Sequence, residues 1–249
     1  MQTLEFNPYS VVAPEYYDDD VHPTCASFRE ASFLVLEAYL SRKSLIGQVV
    51  CDLGGGKSII AEHFSKLKMR PLKIDIRDVS EEMLRHSQHF ARNDVHLMKQ
   101  DARDLAQSNT RYDVIAAFLA DPFNNVEAWR AVHTSLQSNG ELLFVTPSWE
   151  WSSTFRNCAP DEKEDSARFL LKNGGEVFVP SIVLPEKQQV SMFENVGFKL
   201  LEMFHVPLAT LRLVAPKLTA LDQQSPVVTG YRLLKDSNLG FSPRERRVG

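Results

Sequence analysis

The chain is predicted to be an α/β protein in which a mostly parallel sheet lies between two layers of helices. Three observations support this fold class. Short apolar strand patterns alternate with helical patterns, a glycine-rich turn at residues 54–56 joins one strand to the helix that follows it, and the alternation stops further along the chain. There, residues 198–204 and 227–234 have strand patterns without a clear helical crossover between them, which favours an antiparallel pair.

The individual elements follow from the spacing of apolar residues. Short apolar runs or period-two alternation predict strands, at residues 48–53, 72–76, 95–99, 113–119 and 141–146. Apolar residues three and four positions apart predict helices, at residues 24–42, 58–67, 80–90, 129–136 and 185–195. Asn139 and Gly140 are expected to turn the chain into the strand at 141–146. Because right-handed crossovers bring the carboxyl ends of parallel strands to one rim, we expect a ligand to bind there.

The composition narrows the classes of function. The formal net charge of −4 disfavours sequence-independent binding to the phosphate backbone of nucleic acids, so no nucleic-acid partner is expected. Cys25, Cys51 and Cys158 are widely spaced, which argues against a disulfide framework and against a zinc site, so no metal is expected. The first residues lack a signal-peptide pattern, and no apolar run is long enough to cross a bilayer. We therefore expect a cytoplasmic protein without a membrane partner; the sequence leaves the oligomeric state open.

The chain is expected to divide into two parts. Residues 1–45 form an N-terminal arm, broken by prolines near its start and helical afterwards. Residues 46–249 form the main domain. Within it, residues 147–184 are too long for a simple connection and are interpreted as an insertion on the substrate side. Residues 237–249 are polar and basic, and we expect them to be frayed.

The clearest chemical signal is the turn after the first strand, which reads Asp-Leu-Gly-Gly-Gly-Lys-Ser from Asp52. Glycines at Gly54, Gly55 and Gly56 allow the backbone to turn tightly and to approach a ligand without a Cβ in the way. An acid just before them suits a ligand with a cationic amino-acid tail. The spacing differs from the dinucleotide fingerprint and from the P-loop.

Acidic and aromatic residues also end the next strands. Asp75 and Asp78 are both candidates at the end of the second strand, where a carboxylate can accept hydrogen bonds from ribose hydroxyls. Asp101 ends the third strand, and its carboxylate can accept a bond from an adenine amine. Phe118 ends the fourth strand at the same rim, and we expect it to line the ligand site.

Residues 48–148 resemble the core of the class I S-adenosylmethionine-dependent methyltransferases. The turn at residues 52–58 is similar to the family's motif acid-x-Gly-x-Gly-x-Gly, with Ser58 in place of the last glycine. Residues 78–84 resemble its Asp-x-Ser-x-x-Met-Leu, and Asp101-Ala102 its Asp-Ala pair. Residues 136–142 are similar to its Leu-x-Pro-Gly-Gly, with Ser and Asn in place of Pro and the first Gly, and residues 197–198 to its late Gly-Phe pair.

This resemblance implies a fold, an activity and a cofactor. The fold is a Rossmann-like three-layer αβα sandwich with a seven-stranded, mostly parallel sheet and an antiparallel last strand. The activity is enzymatic methyl transfer, and the cofactor is S-adenosyl-L-methionine. Asp52, Gly54, Gly55 and Gly56 would form the cofactor turn. Asp78 would bind the ribose, with Asp75 in reserve, and Asp101 and Ala102 would lie beside the adenine.

The acceptor side of the site has weaker signals. Tyr9, Tyr16 and Tyr17 lie in a stretch similar to one that folds over the cofactor in many small-molecule methyltransferases, but these side chains can equally pack the first helix onto the sheet. Trp149 opens the insertion and either walls an acceptor pocket or belongs to the core. His22 is the candidate general base, since His133 falls on the inner face of its helix.

A small-molecule acceptor, methylated on O, N or C, is therefore the leading functional hypothesis. Residues 121–124 read Asp-Pro-Phe-Asn, which is out of register with the Asp/Asn-Pro-Pro-Tyr/Phe motif of amino-methyltransferases. The alternatives are methylation of RNA or protein, and a non-catalytic module that binds S-adenosylmethionine.

Overall fold

The computed structural model describes residues 7–158 and 165–236, and it contains one large sheet and one separate hairpin. The basic residues 237–249 and part of the predicted insertion, residues 159–164, lie outside the described residues. The strands are β1 (Val49–Leu53), β2 (Lys73–Asp78), β3 (Val95–Lys99), β4 (Tyr112–Phe118), β5 (Leu136–Pro147), β6 (Ser166–Leu170), β7 (Glu176–Pro180), β8 (Phe198–Pro207) and β9 (Pro226–Lys235). The helices are α1 (Pro8–Val12), α2 (Pro23–Leu40), α3 (Ile59–Ser65), α4 (Glu81–Arg85), α5 (Val126–Ser135), α6 (Trp149–Cys158) and α7 (Glu186–Val196).

The large sheet has seven strands in the order β3-β2-β1-β4-β5-β9-β8. Strands β1 to β5 are parallel to one another, whereas β9 lies between β5 and β8 and is antiparallel to both. The predicted αβα sandwich with an antiparallel last strand is thereby confirmed. In the described parts of the chain, no helix is both long and apolar enough to pass through a bilayer.

Apolar residues on the two faces of the sheet form two separate cores. Along β1, Val50 belongs to the core under α2 and α3, while Cys51 and Leu53 belong to the core under α5 and α7. This division follows from the pleat, because successive side chains of a strand point to opposite faces. Both layers of helices are therefore fixed by burial, and the loops between them meet at the rim of the sheet.

Local hydrogen bonds fix the helix starts that face this rim. Ser58 Oγ accepts a bond from Ala61 N at 2.9 Å, and Ser80 Oγ accepts one from Met83 N at 3.2 Å, so both serines act as N-caps as their positions suggest. At the far end of α7, Gly197 has φ 102° and ends the helix as a left-handed cap.

Two predicted elements differ from the structure. The helix expected over residues 80–90 ends at Arg85 and is followed by a separate 3₁₀ turn, Gln88–Phe90, because Ser87 Oγ is bonded to the glycine turn, donating to Gly56 O at 2.6 Å. The turn expected at Asn139 and Gly140 is a bulge inside β5, where the pairing jumps from Tyr112–Leu136 to Val114–Glu141.

The insertion after β5 has structure that the sequence analysis missed. It contains α6 and then the hairpin of β6 and β7, which turns at Asn173-Gly174-Gly175 with φ 82° at Gly174. Alternating Val177 and Val179 beside a Gly-Gly turn were the available signal. The hairpin packs against the arm, since Val12, Phe169, Val177 and Val179 form one buried cluster.

Candidate cofactor and acceptor cavities

Two adjoining cavities open at the rim formed by the carboxyl ends of the parallel strands. The first, of about 1030 Å³, lies over the ends of β1, β2, β3 and β4 and is covered by the arm. The second, of about 330 Å³, lies between the arm, the start of α2 and the insertion. Four residues line both cavities and form the boundary between them: Tyr9, Tyr16, Cys25 and Leu119. We call them the first cavity and the second cavity.

The glycine turn forms one wall of the first cavity. Gly54 and Gly55 line it, and their N–H groups donate to Arg77 O at 2.7 and 3.1 Å, which holds the turn against β2. Gly56 does not line the cavity. A Cβ on this residue, at φ 38°, would lie 2.6 Å from the hydroxyl of Tyr17, so this glycine makes room for the arm.

Tyr17 connects the arm to the glycine turn. Its hydroxyl accepts a hydrogen bond from Lys57 N at 2.8 Å, and the Arg29 guanidinium lies 5.5 Å from the centre of its ring. Burial raises the pKa of Tyr17, so the hydroxyl stays protonated at neutral pH. The arm therefore touches the same backbone turn that borders the first cavity.

Asp52 is buried at the cavity wall with one oxygen satisfied. Its Oδ2 accepts a bond from Ser58 Oγ at 2.5 Å, while Oδ1 has no hydrogen-bond partner within the described residues. Asp52 is only 1 % exposed, and this burial raises the pKa of its carboxyl group to about 6. A buried carboxylate oxygen without a donor is costly, and a ligand with a cationic group would supply the missing donor.

Asp78 lies opposite the same turn and is held in a fixed orientation. Its Oδ2 accepts from Gly56 N at 3.1 Å and its Oδ1 from Ser80 N at 2.8 Å. It lines the first cavity, and burial raises its pKa to about 6. Each carboxylate oxygen still has a lone pair available, so Asp78 can accept further bonds from two adjacent hydroxyls.

Asp75, the reserve candidate for the ribose, does not lie in the first cavity. It is fully buried on the other face of β2, where its carboxylate accepts a bond from Tyr112 Oη at 2.8 Å and pairs with Lys73 Nζ at 3.0 Å. Residues three apart on a strand face opposite sides, so Asp75 and Asp78 cannot both reach the rim. The candidacy of Asp75 as a cofactor ligand is therefore wrong.

The remaining cofactor candidates all line the first cavity: Asp101, Ala102 and Phe118. Asp101 is engaged by a neighbour, since Arg103 Nη2 lies 2.7 Å from its Oδ2 and the hydrogen bonds from Arg103 hold its pKa below the usual value. A ligand amine beside Asp101 would share the carboxylate with Arg103.

The second cavity is walled by aromatic side chains. Tyr16 stacks on Phe169 with 5.6 Å between ring centres, and Trp151 stacks on Phe155 at 5.3 Å. Trp149, the predicted lining residue, contributes to neither cavity. Positions two apart on a helix point about 200° away from each other, so the helix that presents Trp151 to the cavity turns Trp149 elsewhere.

His22 and His133 separate as the sequence analysis expected. His22 lines the second cavity, its Nε2 lies 3.4 Å from Glu15 Oε1, and burial lowers its pKa, which keeps the ring neutral at neutral pH. His133 lines neither cavity and packs edge-on against Phe198 at 5.1 Å.

The segment after β4 places its side chains in three directions. Asp121 lines the second cavity. Phe123 covers the glycine turn, where a Cβ on Gly54 would lie 2.8 Å from its ring. Asn124 is buried away from the cavities, bonded to Gln189 and Trp129. The polar groups of an amino-methyltransferase motif are therefore not brought together here.

Leu119 was not predicted and has the most unusual backbone at the site. It lies at the end of β4 with φ 51°, a conformation that costs energy for a residue with a Cβ. It lines both cavities. No sequence signal marks such a residue, because a leucine at a strand end is ordinary.

Within the described chain, no group of three or more His, Cys, Asp or Glu side chains could hold a metal ion.

Comparison with known proteins gives one family match and many structural matches. Residues 50–140 match a family model described as a methyltransferase domain. Curated protein sequences give no significant match.

An S-adenosylmethionine-dependent methyltransferase from Clostridium acetobutylicum superposes with a TM-score of 0.60 at 15% identity, covering 92% of this chain and 100% of that one. Magnesium protoporphyrin IX methyltransferase from Synechocystis, crystallised with bound S-adenosylhomocysteine, gives 0.57 at 15% identity, with 84% of each chain covered. A methyltransferase in complex with a methyltransferase activator from Haloferax volcanii gives 0.65 at 12% identity, covering 93% and 99%.

These likenesses show the fold, and the family match covers the part of the chain that contains the sequence motifs. Residues 50–140 contain the glycine turn, Asp78 and Asp101, which all lie along the first cavity. Residues 50–140 therefore match a methyltransferase domain, and the fold of the chain is that of the class I S-adenosylmethionine-dependent methyltransferases.

Proposed function

We propose that the enzyme methylates an O, N or C atom of a small molecule that binds in the second cavity. The observation that carries this proposal is the size of that cavity. At about 330 Å³, with walls from the arm, α2 and the insertion, it is of the volume that small-molecule pockets have.

The first cavity is the proposed cofactor site, and its residues fit the parts of S-adenosylmethionine. Asp52, whose Oδ1 has no partner among the described residues, would bind the ammonium group, and the backbone of Gly54 and Gly55 would lie beside the amino-acid tail. Asp78 would accept bonds from the ribose hydroxyls. Asp101, Ala102 and Phe118 would surround the adenine. When bound, the cofactor supplies an electrophilic methyl group.

The residues between the cavities would position the acceptor and exclude water. Tyr9 and Tyr16 line both cavities, so the arm would close over the cofactor and the acceptor together. In this proposal residues 1–45 serve as a lid on the main domain, residues 46–249. Desolvation leaves an acceptor nucleophile more reactive, and His22 is the proposed proton acceptor for a hydroxyl or an ammonium group.

Isotope transfer tests the acceptor class. The enzyme is incubated with S-adenosylmethionine carrying a trideuterated methyl group and with a cell extract separated into low-mass, RNA and protein fractions. We expect a trideuterated methyl group to appear in a compound of the low-mass fraction, and no transfer with the Asp78→Ala variant. Label confined to RNA or to protein would contradict the small-molecule proposal and would favour the alternative macromolecular acceptor.

A further inference from the structure

The second cavity is lined by a cation, Lys217, that no acid among the described residues neutralises. Lys217 lines it from the short 3₁₀ turn Pro216–Leu218, and its backbone carbonyl accepts a bond from Trp151 Nε1 at 3.0 Å, which fixes this turn against α6. Its side chain is exposed, with Nζ 4.8 Å from the centre of the Phe155 ring. Among the described residues, no acid lies within ion-pair distance of Lys217. Arg168, the other cation of the cavity, lies 3.5 Å from Glu176.

The walls beside Lys217 are flat. Trp151 and Phe155 are stacked with only 8° between their planes, and Tyr16 and Phe169 are stacked at 23°. Phe28 meets Trp151 edge-on at 4.8 Å. Aromatic rings favour offset-stacked and edge-to-face partners, so walls of this kind favour a planar, conjugated molecule over a branched aliphatic one.

The second cavity is lined by charged side chains of both signs, Asp121 and Lys217. Burial raises the pKa of Tyr9, and the negative charge of Asp121 raises it further. Burial lowers the pKa of His22, Glu15 and Asp18 partly restore it, and the positive charge of Lys217 lowers it again. An anionic group in this cavity is therefore attracted towards Lys217 and repelled by Asp121.

We propose that the second cavity binds a planar, conjugated acceptor that carries a carboxylate or another anionic oxygen, and that Lys217 pairs with this anion. The inference rests on the proposed function for one point only, that the second cavity is the acceptor site. It adds the charge and the shape of the acceptor, which the proposed function leaves open.

Binding of matched probes tests the charge preference. The enzyme is saturated with S-adenosylhomocysteine and titrated calorimetrically with 2-naphthoate, 2-naphthamide and 2-naphthylmethylamine, which share one ring system and differ in charge. We expect 2-naphthoate to bind at least tenfold more tightly than 2-naphthamide, and the ammonium compound to bind more weakly than both. The Lys217→Met variant should bind 2-naphthoate and 2-naphthamide equally. Lys199→Met, which removes an exposed lysine from β8, is the matched control and should keep the preference.

Equal affinity of the acid and the amide in the unaltered enzyme, or a preference that persists in Lys217→Met, would overturn the inference. Thermal unfolding of both variants checks that they fold. The isotope-transfer experiment separates this failure from that of the proposed function. Transfer into the low-mass fraction without a charge preference would contradict only the proposal that the acceptor is anionic. Transfer into RNA or protein would contradict the proposal that the acceptor is a small molecule.

Discussion

At the scale of single residues, the site contains two carboxyl groups that are buried before any ligand binds. Burial raises the pKa of both Asp52 and Asp78 to about 6, against an ordinary value of 3.8. A pKa that is higher in the folded state means that protonation favours folding. The stability that these groups contribute is therefore fully present below pH 3.8 and is lost as the pH rises through 6. At neutral pH these two buried carboxylates lower the stability of the fold.

Removing one of these charges should flatten that pH dependence. As the pH rises from 4.5 to 7.5, the unaltered enzyme should lose unfolding free energy that Asp78→Asn keeps. The difference between the two should grow by about 1–3 kcal/mol, since one pKa unit corresponds to about 1.4 kcal/mol. Urea unfolding at a series of pH values measures the difference. Asp101→Asn is the control: Arg103 lowers the pKa of Asp101, so this group titrates below pH 4.5 and the variant should show no such gain within this window. An unchanged pH dependence in Asp78→Asn would show that Asp78 titrates normally.

Two glycines with positive φ allow the cost of backbone strain to be measured separately from the cost of a steric clash. At Gly47, with φ 76°, a Cβ would have no atom within 4 Å, whereas at Gly56 it would lie 2.6 Å from the hydroxyl of Tyr17. We expect Gly47→Ala to cost only the strain, about 1–2 kcal/mol. Gly56→Ala should in addition displace Tyr17 and weaken S-adenosylhomocysteine binding at least tenfold. Calorimetric titration and urea unfolding measure the two effects, and equal affinities in both variants would mean that Tyr17 is not needed for the site.

The proposed role of His22 predicts a change in the pH profile. Burial keeps its pKa below 6.5, so kcat should fall on the acid side as the ring becomes protonated. We expect His22→Asn to lower kcat by about 10²–10⁴ and to remove this acid limb, while leaving S-adenosylhomocysteine affinity unchanged. A profile that keeps its acid limb in the variant would assign the titration to another group and leave His22 as a wall of the second cavity.

At the scale of elements, the arm and the β6–β7 hairpin behave as one packing unit. Val12 of α1 is fully buried against Phe169, Val177 and Val179 of the hairpin. At the surface of the same contact, Lys172 binds the arm through Asp18, with Nζ 2.5 Å from Oδ2. The apolar cluster should provide most of the stability of this contact, because exposed ion pairs contribute about 0–1 kcal/mol.

Hydrogen exchange can test this coupling. Val12→Ala should destabilise the contact by about 1–3 kcal/mol and should speed amide exchange in residues 8–17 and 166–180 together. Lys172→Ala is the matched control, and its exchange rates should change only slightly. Faster exchange in the arm with an unaffected hairpin would show that the two elements open independently.

At the scale of the whole molecule, the sheet and the cofactor rim could be predicted because their signals are local. Each strand and helix carries its own periodicity, and the residues from Asp52 to Ser58 form one continuous motif. The second cavity could not be predicted, because His22, Trp151, Phe169 and Lys217 come from four distant segments that meet only after folding. The error at Asp75 has a similar cause, since the motif spacing left two acids open and only the pleat of β2 decides between them.

Cofactor binding should stabilise the whole domain through the same carboxylates. At one hundred times the dissociation constant, S-adenosylmethionine is expected to add about 2.7 kcal/mol, a rise in Tm of about 5–10 °C for a chain of this size. Asp78→Ala should lose most of this rise at the same ligand concentration. Differential scanning calorimetry at pH 7.5 provides the measurement, and an undiminished rise in the variant would show that Asp78 does not bind the cofactor.

The boundary shared by the two cavities has a consequence for the order of events in turnover. Tyr9 and Tyr16 belong to one arm and line both cavities, so the arm cannot uncover one cavity and leave the other fully closed. If the arm is the proposed lid over a cofactor and an acceptor, entry and exit of both reactants depend on a single opening motion. If that motion is slower than the chemistry, it sets the steady-state rate, the methylated product and the spent cofactor leave in the same event, and acceptors of very different reactivity are turned over at similar rates.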